Sequence, residues 1–152
     1  MVYYKSRDFI QDGFTLLEVL LSITLIAILA AISVPFYQSF QVRNDLDIAT
    51  NTVVQALRQA QTLSQAVDQD ISWGVKIQIG SIILFKGPNY ISRDSSYDEI
   101  YDISSGIASS GLDEIVFAKF TGEPPMTGTT ILTSSGGEIR NITINSKGMI
   151  TY

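Results

Sequence analysis

The sequence predicts an α+β fold: a long N-terminal helix, apolar in its first half and amphipathic in its second, packed on a C-terminal antiparallel β-domain. Three features predict it. An apolar run occupies Phe14–Phe36, a helical stripe of buried-face residues follows over Gln38–Val67, and beyond Asp70 short β-branched and aromatic segments alternate with glycine turns. The 152 residues suit one domain, or one domain with an appended segment. The expected divisions are a polar N-terminal segment at 1–13, an apolar helix at 14–36, the amphipathic half of the same helix at 37–68, and a β-domain at 69–152.

Val19–Pro35 contains no charge, and the whole apolar run is about the ~20 residues that a spanning helix needs. It lacks strand alternation and is too long for a strand, so a helix is expected. A secretory signal peptide would have a shorter apolar core, preceded directly by Lys or Arg and closed by a small-x-small site. Ala27–Ala31 matches such a site loosely, but an amphipathic helix follows it without a break. From Phe14 to Val42 the only charged side chain is Glu18. A carboxylate in a membrane helix costs up to about 3 kcal/mol, so it needs a partner or a task. Hydration at the interface and the favourable field of a helix first turn offer a simpler account of the same residue.

The stripe consists of Val42, Leu46, Ala49, Val53, Leu57, Ala60, Leu63 and Val67, with Asn44, Asp45, Asn51, Gln55, Arg58 and Gln59 on other faces. Such a helix buries one face, here against a sheet. Pro35 stands at the junction of the two halves. It lacks the N–H that would bond the Ala31 carbonyl, and its ring crowds that carbonyl. Both a kink at the membrane boundary and a weak point where the backbone can unwind fit this chemistry.

Strands are expected at Trp73–Ile79 and Ser81–Lys86 around a Gly80 turn, then at Glu114–Phe120, Thr129–Thr133, Ile139–Asn145 and Met149–Tyr152. Ser134-Ser135-Gly136-Gly137 and Asn145-Ser146-Lys147-Gly148 are the turn signals between the later ones. Asn89–Leu112, rich in Ser, Asp and Tyr, reads as a long loop with one strand near Glu99–Ile103.

Composition narrows the function. The formal net charge of −5 argues against a surface built for nucleic acid, where Lys and Arg supply the binding energy. With no cysteine there is no disulfide, zinc-thiolate or thiol nucleophile, and with no histidine the commonest general base is missing. No constellation supports an enzyme, and none calls for a cofactor or a catalytic metal.

A polar segment with Lys5 and Arg7 ends in Gly13; then come Phe14, Thr15, Leu16, Leu17 and Glu18, the long apolar helix, and Pro35. This pattern resembles the type III signal of type IV prepilins and type II secretion pseudopilins. The resemblance implies that residues 1–13 are a leader, that prepilin peptidase cuts between Gly13 and Phe14, and that Phe14 becomes N-methylphenylalanine. It further implies that Glu18 pairs with the Phe14 amine of a neighbouring subunit during filament assembly. Physics agrees with that role, because an ammonium and a carboxylate stabilise each other where each alone is costly. One departure is Asp12, with Asp8 nearby, where such leaders usually carry Lys or Arg beside the glycine.

The C-terminal half is similar to the GspH/FimT family of minor pilins and pseudopilins. Arg58-Gln59-Ala60, Trp73-Gly74-Val75, Thr129-Thr130-Ile131-Leu132, Ile142-Thr143-Ile144 and Gly148-Met149-Ile150 carry that similarity. It implies a structural subunit that helps to initiate or cap a type IV pilus or a type II secretion pseudopilus. Such a subunit is held in the cytoplasmic membrane by a single pass, its β-domain outside and other pilins its partners. Two readings compete: a DNA-binding minor pilin, for which the C-terminal region offers only Arg140 and Lys147 against Glu123 and Glu138, and a plain membrane-anchored binding domain. Some pseudopilins bind calcium through acidic loops. Asp94, Asp98, Glu99 and Asp102 cluster here but lack the D-x-D-x-D-G spacing of a dedicated calcium loop.

Overall fold

The computed structural model describes residues 13–66 and 71–152, with side chains throughout those ranges except at 33–35. Lys5, Arg7, Asp8, Asp12, the Pro35 side chain and the last stripe residue, Val67, therefore lie outside the described residues. The helix α1 (Leu16–Gln65) covers the apolar run and the stripe together. Among the described residues it is followed by β1 (Trp73–Gln78), β2 (Ser81–Lys86), β3 (Asp94–Asp102), β4 (Ile107–Gly111), β5 (Glu114–Phe117), β6 (Gly128–Ser134), β7 (Ile139–Ile144) and β8 (Ile150–Thr151). The chain divides into two compact units after Tyr37.

In the first unit, every described side chain of α1 is exposed, and the helix is long and apolar enough to cross a membrane. In the second unit, α1 packs on two four-stranded antiparallel sheets with strand orders β3-β2-β1-β5 and β4-β6-β7-β8. One core joins the three layers. Leu46, Ala49, Val53, Leu57 and Ala60 of the helix meet Val75, Ile82, Leu84 and Phe117 of the first sheet and Ile107, Leu132, Ile142 and Ile144 of the second. The predicted stripe is thus the buried face, with Val42 and Leu63 half-buried at its margins and Thr50, Val54, Ala56 and Ser64 widening it.

The β1–β2 hairpin turns at Ile79-Gly80, with Gln78 opposite Ser81 and a Gly80 φ of 81° that glycine adopts without steric cost. β2 is buried on both faces. On the face opposite the core, Phe85 is fully buried and meets Tyr90 edge-on at a centroid distance of 5.7 Å. Gly74, its register partner on β1, leaves the room: a Cβ there would lie 2.6 Å from the Phe85 ring and 2.9 Å from the Ile115 carbonyl oxygen.

Asn89–Leu112 requires a correction. It holds two strands, β3 and β4, each an outer strand of its sheet, instead of a loop with one strand. The expected strand at Glu114–Phe120 also ends early, at Phe117, and the chain then turns back so that the Phe120 amide bonds the Ser64 carbonyl at 3.0 Å. Ser64 closes this end of the domain. Its buried hydroxyl accepts the Trp73 amide at 3.0 Å and donates to the Phe117 carbonyl at 3.2 Å, which locks the last turn of α1 to β1 and β5.

Candidate processing and assembly site

Gly13 and Phe14 precede the helix in non-helical conformation, and the Phe14 side chain is 81% exposed. Thr15 is the N-cap. Its hydroxyl accepts the Glu18 amide at 3.2 Å, while its carbonyl accepts the Val19 amide at 3.2 Å as the first helical bond. Glu18 therefore sits in the first turn, where the helix dipole favours a carboxylate. Among the described residues its carboxylate enters no ion pair. Further along, Ser22 and Thr24 turn their hydroxyls inward onto the Glu18 and Leu20 carbonyls at 2.8 and 2.7 Å, so neither hydroxyl proton is left for the apolar surround. Among the described residues of the first unit, Glu18 is left as the one charged side chain, on an apolar surface.

Residues 10–34 match the family model of the prokaryotic N-terminal methylation motif. The methylation motif spans Gly13, Phe14, Thr15 and Glu18 and nearly the whole apolar run. It supports a type IV pilin-like prepilin, processed by prepilin peptidase and assembled with other pilins, and it points to a structural subunit in place of an enzyme. The apolar helix and the motif together support membrane anchoring. No solved structure matches the chain.

Sequence reasoning singled out Gly13, Phe14 and Glu18 but passed over Thr15. The signal was present, since Thr-x-x-Glu ahead of an apolar run is the pattern of a capping box. At Pro35 the helix assignment is continuous.

Three of the four carboxylates of β3, those of Asp94, Asp98 and Glu99, are drawn into local contacts. Asp98 takes a two-oxygen contact from the Arg93 Nε at 2.8 and 3.0 Å, and Arg93 also stacks over Tyr90. Asp94 accepts the Ser96 hydroxyl and amide, which hold its carboxyl below the usual range. Glu99 accepts the Tyr101 hydroxyl at 2.7 Å and the Gln59 amide at 3.1 Å, which ties β3 to α1. Burial first, and then the Glu99 contact, push the Tyr101 hydroxyl up to about 12. Among the described residues no group of three or more acidic side chains is placed to hold a metal ion.

The two C-terminal cations are also engaged. Arg140 pairs with Asp47 at 2.9 Å, and Lys147 pairs with Glu123 at 2.8 Å, which holds the Lys147 ammonium above its ordinary range. A phosphate backbone would have to displace a carboxylate at each.

Proposed function

We propose that this chain is a minor pilin or pseudopilin of the GspH/FimT type. It is made as a precursor with a leader through Gly13 and anchored by a single pass of residues 14–36 in the cytoplasmic membrane, with its C-terminal domain on the outer side. Prepilin peptidase cuts between Gly13 and Phe14 and methylates the new amine. Glu18 then pairs with the Phe14 amine of a neighbouring subunit, and Pro35 is the point at which the helix backbone can give during assembly. The mature subunit helps to initiate or cap a type IV pilus or a type II secretion pseudopilus.

The observation that carries this reading is the match of residues 10–34 to the methylation motif. The Glu18 carboxylate, which enters no ion pair among the described residues and stands in an otherwise apolar run, gives it a physical basis. Removing two opposite charges from water is costly, and bringing them together in a low-dielectric surround recovers much of that cost only when both are in place. Such a pair favours one axial offset between neighbouring helices over every other.

The test is the intact mass of the protein from membranes, with and without co-expressed prepilin peptidase. Loss of Met1–Gly13 with one added methyl is expected only with the peptidase. A precursor of unchanged mass, or a cut near Ala31, would refute the reading. The Glu18→Ala variant is expected to be cut normally yet to be missing from sheared filaments or pseudopili. Its incorporation at the wild-type level would remove Glu18 from the assembly role.

A further inference from the structure

We propose that Thr15 is a positioning residue for the cut: it stops helix α1 just short of the Gly13–Phe14 bond and so keeps that bond open to the peptidase. The inference rests on the processing reading above and adds to it the conformation in which the precursor is recognised.

The argument begins with hydrogen-bond bookkeeping at the helix start. For α1 to extend back over Phe14, the Phe14 carbonyl would have to accept the Glu18 amide, since helical bonds run from each amide to the carbonyl four residues earlier. The Glu18 amide is instead donated to the Thr15 hydroxyl at 3.2 Å. The helical ladder then begins one residue later, with the Val19 amide on the Thr15 carbonyl. One hydroxyl thus occupies the donor that backward growth of the helix requires.

Nothing else among the described residues does this. Phe14 has no side-chain feature that ends a helix; Gly13 disfavours a helix by propensity but does not occupy the Glu18 amide, and among the described residues no heavy atom lies within 4 Å of the position its Cβ would take. In an apolar surround, where water does not compete for backbone groups, an uncapped helix gains by recruiting one more residue. The cap therefore matters most at the membrane boundary, where the cut is placed.

An enzyme that hydrolyses a peptide bond must reach the carbonyl carbon and give hydrogen bonds to the oxygen as it becomes an oxyanion. In a helix that oxygen is already bonded and the carbon is shielded by the neighbouring turn. An extended segment offers both, and peptides are commonly bound as extended strands. Thr15 uses only the Glu18 amide for this purpose, so the Glu18 carboxylate stays available for its own partner.

The experiment follows precursor-to-mature conversion of the full chain over time in membranes containing prepilin peptidase. Thr15→Val keeps the side-chain shape and removes the hydroxyl, and its initial rate is expected to fall about fivefold, the factor that loss of about 1 kcal/mol of capping gives. Thr15→Ser and Thr15→Asn, both good caps, are expected to process at or above the wild-type rate. The deciding variant is Thr15→Val combined with Leu16→Pro. Proline at the first helical position starts a helix there and disfavours helical geometry in the residue before it, so it restores the stop without a hydroxyl. Recovery of the rate in this double variant is expected. A wild-type rate in Thr15→Val, or a double variant as slow as Thr15→Val, would overturn the helix-stop role, the latter by showing that the enzyme reads the hydroxyl itself. An uncut wild type would overturn the processing reading, and this proposal with it.

Discussion

Ser64→Ala tests how the helix is locked to the sheet. The substitution deletes one oxygen at a fully buried position, and that oxygen accepts the Trp73 amide and donates to the Phe117 carbonyl. A buried donor left without a partner costs about 1–3 kcal/mol. The Phe117 carbonyl loses a second bond, for which about 1 kcal/mol is a fair figure. Alanine returns roughly 0.5 kcal/mol through its better helix propensity. The net expectation is a loss of about 1.5–3.5 kcal/mol. With a urea slope of about 1–3 kcal/mol per molar, the midpoint should fall by roughly 1 M. Trp73 is the only tryptophan, and it lies at the site, so its fluorescence reports the transition in the detergent-solubilised full chain. Thr62→Ala is the control, since the Thr62 hydroxyl bonds only the Arg58 carbonyl on an exposed face, and a change within about 0.5 kcal/mol is expected. Equal midpoints for Ser64→Ala and Thr62→Ala would refute the claim that the Ser64 hydroxyl closes the domain.

Three further outcomes are expected. Gly74→Ala should cost about 1–3 kcal/mol in the same urea titration, because its Cβ would press on the Phe85 ring and on the fixed Ile115 carbonyl. Phe120 has a φ of 70° and is 61% exposed, so Phe120→Gly should gain about 0.5–1 kcal/mol by removing a left-handed strain that little burial offsets. Tyr101 has a hydroxyl pKa of about 12 in the fold against 10.0 in an unfolded chain. Its stabilising effect is complete below pH 10 and lost as pH rises towards 12, since the unfolded chain releases the proton first. Thermal melts across that window should therefore show a smaller decline in Tyr101→Phe than in the wild type.

Legibility in the sequence followed burial. The stripe from Leu46 to Ala60 was readable because one helix face is buried, and β1, β2, β6 and β7 were readable because they carry apolar side chains into the core. β3 and β4 were not. As the outer strands of their sheets they have one unpaired edge, and β3 carries Asp94, Asp98, Glu99 and Asp102 in place of an apolar face. Charge on an edge strand discourages pairing with a second chain, and it also erases the period-two signal by which a strand is recognised. The same acidic composition raised calcium as a question although the spacing of a dedicated loop is lacking, and in the fold Asp98 has Arg93 as partner while Glu99 has Tyr101 and Gln59. At the N-terminus the spacing of Gly13, Phe14 and Glu18 was legible as a motif. The Thr15 cap was legible as well, as Thr-x-x-Glu ahead of an apolar run, and in the fold its hydroxyl holds the Glu18 amide.

The core cluster begins at Leu46, whereas the described side chains from Leu16 to Ile32 are exposed. A helix that is apolar all round is stable only with an apolar surround, so its cover comes from outside the chain. On the proposed reading that cover is lipid before assembly and neighbouring helices afterwards. Exchanging one apolar surround for another releases little hydrophobic free energy, and helices in a membrane associate through close packing and polar contacts. The apolar side chains can then hold the subunit in the membrane or in the filament without distinguishing one axial offset from the next. A charge distinguishes them steeply, because the attraction between an ammonium and a carboxylate grows as they approach and is strengthened where water is excluded. On that reading register in the assembled state depends on Glu18 more than on the apolar residues around it, and a conservative loss of charge, Glu18→Gln, should impair assembly while leaving membrane insertion and processing intact.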